Sequence, residues 1–183
     1  MQELSLNILD IVMNSVKAEA DKISVIIDET ATKMTVTITD NGYGMSSETI
    51  EKVTDPFFTT RSTRKVGLGI PFFCLVAEQT GGRVFIDSRL KDEFPDSCGT
   101  TVTAVFNKNH IDFTPLGDMV STVCTLVQGS PGIDFKFTHR IEEKNKEIRF
   151  DTMEMREQLG TVPLNTPEVL CWIKDFLLEQ YNL

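Results

Sequence analysis

The sequence contains few of the features that mark specialised protein classes. Its 183 residues include four cysteines, and none of them forms the C-x-x-C pair of a zinc knuckle or a redox site. Eleven glycines and seven prolines are spread along the chain without a biased tract, which argues against a collagen-like, linker-like or disordered protein. The longest apolar runs stop short of the roughly 18 residues that a membrane span requires. We therefore expect a globular protein with reduced thiols in the cytoplasm.

Positive charge is also scarce. Lys and Arg contribute 18 charges against 27 from Asp and Glu, so the formal net charge is −9. A chain this acidic lacks the basic surface that grips nucleic acid phosphates or anionic lipid, and we expect neither as a partner. The residues that follow Met1 include no basic segment and no cleavage motif, so the sequence does not predict secretion.

Hydrophobic periodicity predicts a mixed fold over the first 106 residues. The expected order is helix, strand, strand, helix, helix, strand, strand. The helices cover residues 3–20, a short segment ending near Val53, and a segment from Gly67 to Gly81; the strands cover 22–28, 34–40, 83–88 and 101–106. This order predicts an α+β protein, a two-layer α/β sandwich of one sheet and one helical layer.

The character of the sequence changes at Asn107, and we place a domain boundary there. Residues 1–106 would form the first domain, and residues 107–183 an α+β C-terminal extension. In the extension we expect a helix over 115–128, a hairpin of strands 133–139 and 148–151, and a helix over 166–181. Its apolar helix faces could cover the open side of the sheet, or they could form an effector or dimer surface.

Three polar segments interrupt the apolar pattern. Asp10, Asn14 and Lys17 fall at i, i+4 and i+7 of the first helix and form one line. A carboxylate, an amide and an ammonium group suit a metal–phosphate ligand, although on their own they fit a solvated stripe better. Asp40 ends a strand before Gly42 and Gly44, where it could accept from an exocyclic amine or simply stabilise a turn.

The third segment is the basic, hydroxyl-rich stretch 59–65, which leads to Gly67, Leu68 and Gly69. A helix that begins at these glycines would present free amides to a phosphate, and Arg61, Arg64 and Lys65 favour an anion nearby. A single G-x-G is weak by itself, and a solvated loop is the simpler interpretation. The segment matches neither a P-loop nor a dinucleotide fingerprint.

Taken in order, these segments resemble the GHKL superfamily, which groups gyrase, the heat-shock-90 chaperones, histidine kinases and MutL. The matching boxes are residues 10–18 (N-box), 40–45 (G1), 55–60 (F-box), 67–70 with Gly81 and Gly82 (G2), and 99–101 (the Gly-Thr signature). Five boxes in one order argue against chance agreement. The resemblance covers residues 4–106 and implies a Bergerat-type ATP-binding fold that uses Mg²⁺.

The resemblance also implies roles for individual residues. Asn14 would coordinate Mg²⁺, Lys17 would assist the phosphates, and Asp40 would bind the adenine amino group with support from Thr101. Asp10 would be the catalytic residue that orients or deprotonates water, although hydrolysing members usually have the longer Glu there. The implied ATP-binding set is Asn14, Lys17, Asp40, Gly42, Gly44, Met45, Phe58, Thr59, Thr60, Lys65, Gly67, Leu68, Gly69, Thr100 and Thr101, in which the stretch 59–65 would form a lid.

The resemblance specifies ATP better than it specifies a reaction. His110 and His139 lie downstream of the boxes and outside a phosphoacceptor context, and the N-box begins within a dozen residues of Met1, so we do not expect the autophosphorylation of a complete sensor kinase. We expect an ATP-binding regulatory module whose lid closes on the nucleotide and which acts on a protein partner. The alternatives are a stand-alone protein kinase, of the anti-sigma-factor serine type or acting on histidine in trans, and a slow MutL-type ATPase. Homodimerisation remains open.

Overall fold

Six strands form one mixed sheet in the computed structural model, which describes residues 3–54 and 69–182. Helices flank and connect these strands, and a single 3-10 turn joins the last two. In chain order the elements are α1 (Leu4–Lys17), β1 (Lys22–Glu29), β2 (Lys33–Asp40), α2 (Ser47–Thr54), α3 (Gly69–Gln79), β3 (Arg83–Arg89), β4 (Gly99–Asn107), α4 (Met119–Gly129), β5 (Asp134–Ile141), the 3-10 turn (Glu142–Lys144), β6 (Lys146–Asp151), α5 (Thr152–Leu159) and α6 (Pro167–Asn182). The predicted α+β sandwich is confirmed.

The strand order is β3-β4-β2-β1-β5-β6. The first four strands pair antiparallel, β5 lies parallel to β1 with Phe135 opposite Ile23, and β6 returns antiparallel to β5. Residues beyond 107 therefore extend the sheet of the first part of the chain. A continuous sheet does not reveal which segment folds independently, so the domain boundary at residue 107 stays a prediction.

One face of the sheet carries the core. Along β2, Met34, Val36 and Ile38 are buried while the residues between them are more exposed, which is the alternation expected of a strand covered on one side. Helices α3, α1, α4 and α6 lie against one another in that order. Most apolar residues of α1 face inward, whereas Asp10 and Lys17 are exposed. The polar line of α1 therefore lies at the margin of the helical layer.

Two elements differ from the sequence-based expectation. The helix expected from residue 115 begins at Met119, because the Asp118 carboxylate accepts a hydrogen bond from the Ser121 amide and caps the helix there. Helix α5 was not predicted, since its sequence alternates charged and apolar residues without a clear period. The Asp151 carboxylate accepts from the Met153 amide and starts this helix directly after β6.

A buried polar cluster joins α6 to the sheet. The His139 side chain is 2% exposed; its Nδ1 lies 2.9 Å from the Tyr181 hydroxyl and its Nε2 lies 3.1 Å from Glu29 Oε2. Lys108 Nζ lies 2.7 Å from the other Glu29 oxygen. Burial raises the pKa of Tyr181, so its hydroxyl stays protonated and donates to His139, which in turn donates to Glu29. The cluster links β1, β5, α6 and the segment after β4. No helix in the described ranges is both long and apolar enough to cross a membrane.

The buried cluster around His139 predicts that the fold is less stable at acidic pH. Burial lowers the pKa of His139 below its ordinary value of 6.5 despite the nearby Glu29. The unfolded chain therefore binds the proton more readily, and the free energy of unfolding should fall as the pH drops below about 6.5. Chemical denaturation between about pH 7.5 and 5.5 measures this dependence. In His139→Gln the dependence should be flatter, whereas His110→Gln, at a more exposed position, should keep it. An unchanged slope in His139→Gln would contradict the prediction.

Candidate functional site

The Asp40 carboxylate at the end of β2 is held by three donors. Its Oδ2 accepts from the Ser15 hydroxyl at 2.6 Å, and its Oδ1 accepts from the amides of Gly42 at 2.9 Å and Thr100 at 3.2 Å. These bonds come from α1, the turn after β2 and β4, so they fix the carboxylate in one orientation. An ionised carboxylate can accept about four hydrogen bonds, so one position remains for a donor from outside the protein.

The turn after Asp40 requires its two glycines. Gly44 has φ of +70°, and a Cβ atom there would lie 2.0 Å from the carbonyl oxygen of Arg89. A Cβ atom on Gly42 would lie 2.6 Å from the carbonyl oxygen of Ala18. The turn therefore packs its backbone directly against the end of β3 and the end of α1, which only residues without a side chain permit.

Strand register shows which β4 threonine shares a face with Asp40. Asp40 pairs with Thr100 across β2 and β4, and Thr39 pairs with Thr101, whose hydroxyl lies 3.2 Å from that of Thr39. Because successive residues of a strand point to opposite faces, Thr101 lies on the face away from Asp40. Of the two threonines in the predicted set, Thr100 and not Thr101 therefore shares a face of the sheet with Asp40, while the predicted role of Thr101 in supporting adenine binding stays a prediction.

Two hydroxyls near Asp40 were missed by the sequence analysis. Besides Ser15, Ser88 on β3 accepts from the Met45 amide at 2.8 Å, and its Oγ lies 2.8 Å from Thr100 Oγ1. Ser88 thus ties the turn, β3 and β4 together. Ser15 could have been noticed as a small polar residue among the mostly apolar residues of α1, but Ser88 carries no signal because its partners are distant in sequence.

The polar line of α1 faces the start of α3. A Cβ atom on Gly69 would lie 3.2 Å from Asp10 Cβ and 3.6 Å from Asn14 Nδ2, so the two helices touch at this point. Within residues 3–54 and 69–182, the side chains of Asp10, Asn14 and Lys17 make no hydrogen bond and no ion pair. The first turn of α3, which begins at Gly69, places the positive end of a helix dipole beside them. The arrangement suits an anion that carries a metal ion.

The residues of the line fit Mg²⁺. No group of three or more His, Cys, Asp or Glu in the described part of the chain could hold a metal ion by itself. Mg²⁺, however, is often held by one or two protein oxygens together with waters and the phosphates of its substrate. The amide oxygen of Asn14, which has no partner among the described residues, is such a hard ligand, and the Asp10 carboxylate one turn away could hold a coordinated water. The remaining predicted residues, Phe58, Thr59, Thr60, Lys65, Gly67 and Leu68, lie outside the described residues.

Known proteins resemble the chain in sequence and in fold. A family model described as histidine kinase-, DNA gyrase B-, and HSP90-like ATPase matches residues 2–110. A putative sensor protein of Shewanella frigidimarina is 32% identical over 93 residues, which cover 49% of this chain and 14% of that relative. The chain thus spans a small part of the relative's length.

Two solved structures share the fold over most of the chain. The N-terminal domain of a DNA repair protein superposes with a TM-score of 0.57 at 16% identity, covering 84% of this chain and 53% of that chain. The Aquifex aeolicus MutL ATPase domain, complexed with ADP, gives a TM-score of 0.52 at 15% identity, covering 83% and 65%. At these identities the likeness concerns the fold alone, and it extends past the family match into residues beyond 110.

The glycine turn predicts a marked difference between two Gly→Ala changes. Gly44→Ala should lower the free energy of unfolding by roughly 1–3 kcal/mol or more, because Ala would adopt a positive φ and overlap the Arg89 carbonyl. Gly132→Ala is the matched control, since a Cβ atom there has no neighbour within 4 Å. Urea denaturation of both variants measures the difference. Equal stabilities would mean that the turn does not have the described backbone conformation.

Proposed function

Because the chain belongs to the family of histidine kinase-, DNA gyrase B- and HSP90-like ATPases, we propose that it binds Mg²⁺–ATP between Asp40, the α1 polar line and Gly69, and that the bound nucleotide controls its interaction with a protein partner. The observation that carries this proposal is the Asp40 carboxylate, fixed by three donors with room for a fourth. The Aquifex aeolicus fold neighbour is complexed with ADP, and we carry this ligand class over to the present chain.

Asp40 recognises the base in this proposal. Its remaining acceptor position takes an N–H of the adenine amino group, which is a pairing that guanine cannot offer because it carries an oxygen at the corresponding carbon. The Ser15 hydroxyl donates to the same carboxylate and keeps it oriented. The Thr100 hydroxyl, bridged to Ser88, lies on the same face of the sheet and gives the base a second polar contact.

The phosphates lie along α1 toward Gly69. The Asn14 amide oxygen holds Mg²⁺, and the Lys17 ammonium group binds a phosphate oxygen. When bound, Mg²⁺ bridges the phosphates and neutralises part of their charge, which matters in a chain with a net charge of −9. Gly69 lets the backbone amides of α3 approach the phosphates without obstruction by a side chain.

The sheet supports the regulatory part of the proposal. β1 pairs with β2, which ends at Asp40, and on its other side with β5 of the extension. α1 carries the polar line and also contacts α4. A shift of α1 or β2 on nucleotide binding would therefore also move residues of the extension. A protein partner that binds the extension could then distinguish the nucleotide-bound state from the nucleotide-free state.

The aspartate at position 10 favours ATP binding over ATP hydrolysis as the main function. Its carboxylate is exposed beside Asn14 and would orient a water, but it is one methylene shorter than the Glu of hydrolysing relatives. The shorter reach places the base farther from the terminal phosphate. We therefore propose nucleotide sensing as the main function, with phosphoryl transfer to a protein and slow hydrolysis as the alternatives.

The proposal predicts that Mg²⁺–ATP stabilises the protein through Asp40. At 100 times the Kd, a ligand that binds only the folded state adds about 2.7 kcal/mol to its stability, and the Tm rises accordingly. Asp40→Asn should lose most of this ATP-induced rise, because an amide offers one acceptor oxygen in place of two. Asp87→Asn, on the exposed side of β3, is the matched control and should keep the rise. If Asp40→Asn retains the full rise, the base lies elsewhere.

The fate of the terminal phosphate distinguishes the three functions. With ATP labelled on the γ-phosphate and a cell extract, nucleotide sensing predicts that adding this protein causes no transfer or release of label beyond that seen with the extract alone. Labelled protein that disappears with Asn14→Ala would instead establish a kinase. Free labelled phosphate that disappears with Asp10→Asn would establish a slow ATPase and contradict pure sensing.

A further inference from the structure

Asn7 is a buried residue with a polar side chain. The residue is 6% exposed, and in the described part of the chain its amide makes no hydrogen bond. Burying an amide without a hydrogen bond is unfavourable, so such groups are rare in folded proteins unless a ligand or water satisfies them. The amide is not sealed off, because the Thr166 hydroxyl is the one fully enclosed polar side-chain atom without a partner among the described residues.

Asn7 continues the polar line of α1. It precedes Asp10 by three residues and Asn14 by seven, so all three lie along one side of the helix. The deeply buried residues near it on α1 include the apolar Leu4, Ile8 and Ile11, and also the hydroxyl-bearing Ser5. The Asn7 amide thus extends the polar line about one helical turn beyond Asp10, toward the N-terminal end of α1 and next to buried apolar residues.

The contacts of α1 indicate in which direction the bound nucleotide runs along this helix. Ser15 binds Asp40, so the base lies near the C-terminal end of α1. Gly69 touches the helix at Asp10 and Asn14, closer to its middle. Asn7 lies eight residues before Ser15, which is about 12 Å along the helix axis. A nucleotide that passes Asn14 and Gly69 from Asp40 therefore has its last phosphate toward Asn7.

We propose that Asn7 is a further binding residue of the ATP site: its amide N–H donates to an oxygen of the terminal phosphate. This inference rests on the proposed function. ADP lacks that phosphate and leaves the amide to water, as in the free protein. Asn7 thus gives the site a preference for ATP over ADP, which a nucleotide-controlled switch requires.

Calorimetric titration of the full chain with Mg²⁺–ATP and with Mg²⁺–ADP tests the proposal. Asn7→Leu, of similar size and suited to an apolar surface, should weaken ATP binding about tenfold or more while ADP binding stays within about twofold. Asn7→Ala, which only removes atoms, serves if Leu disturbs packing. Thr122→Val is the control, since it removes a buried polar group, a hydroxyl bonded to the Asp118 carbonyl, from α4 in the same helical layer and should leave both affinities unchanged.

The ratio of the two affinities decides the outcome. A reduced preference for ATP in the Asn7 variants, with none in Thr122→Val, supports the contact. An unchanged ratio overturns it and makes Asn7 a structural amide, whatever happens to the Tm. Wild-type protein that binds neither nucleotide would refute the proposed function itself, which is a different result. A higher Tm for nucleotide-free Asn7→Leu would be an independent sign that the amide is unpaired without its ligand.

Discussion

The hydrogen bonds to the Asp40 carboxylate hold the site together. Ser15 brings α1 to the end of β2, the Gly42 amide closes the glycine turn, and the Thr100 amide ties in β4. A carboxylate buried without partners would be unfavourable, whereas one with three donors is fixed and still accepts a fourth. The same three bonds therefore explain why these elements meet and why the proposed site recognises an amino group.

The rest of the molecule supports this arrangement from two sides. The glycine turn packs its backbone against α1 and β3, so the site tolerates little movement around Gly44. On the other side, β1 connects β2 to the two strands of the extension, and the His139–Tyr181–Glu29 cluster fastens α6 to that part of the sheet. The C-terminal extension is thus connected to the site through the sheet, although it lies mostly outside the residues that the family model matches.

Patterns among residues close in sequence were enough to predict much of the fold and part of the candidate site. Alternation along β2 and the helical period of α1 depend on neighbouring residues, so the sandwich and the positions of Asp10, Asn14 and Asp40 followed from sequence. Register and long-range contacts did not. Thr101 was preferred to Thr100 because only the pairing of β2 with β4 shows which hydroxyl shares a face with Asp40. Asn7 was overlooked because burial, not residue type, makes its amide unusual.

A crystal structure of the full chain with Mg²⁺ and a non-hydrolysable ATP analogue tests the central proposal most directly. We expect the adenine amino group within hydrogen-bonding distance of the Asp40 carboxylate, with the phosphates running past Asn14 and Gly69 toward the N-terminal half of α1. A nucleotide bound at another place, or bound here with Asp40 making no contact to the base, would contradict the proposal.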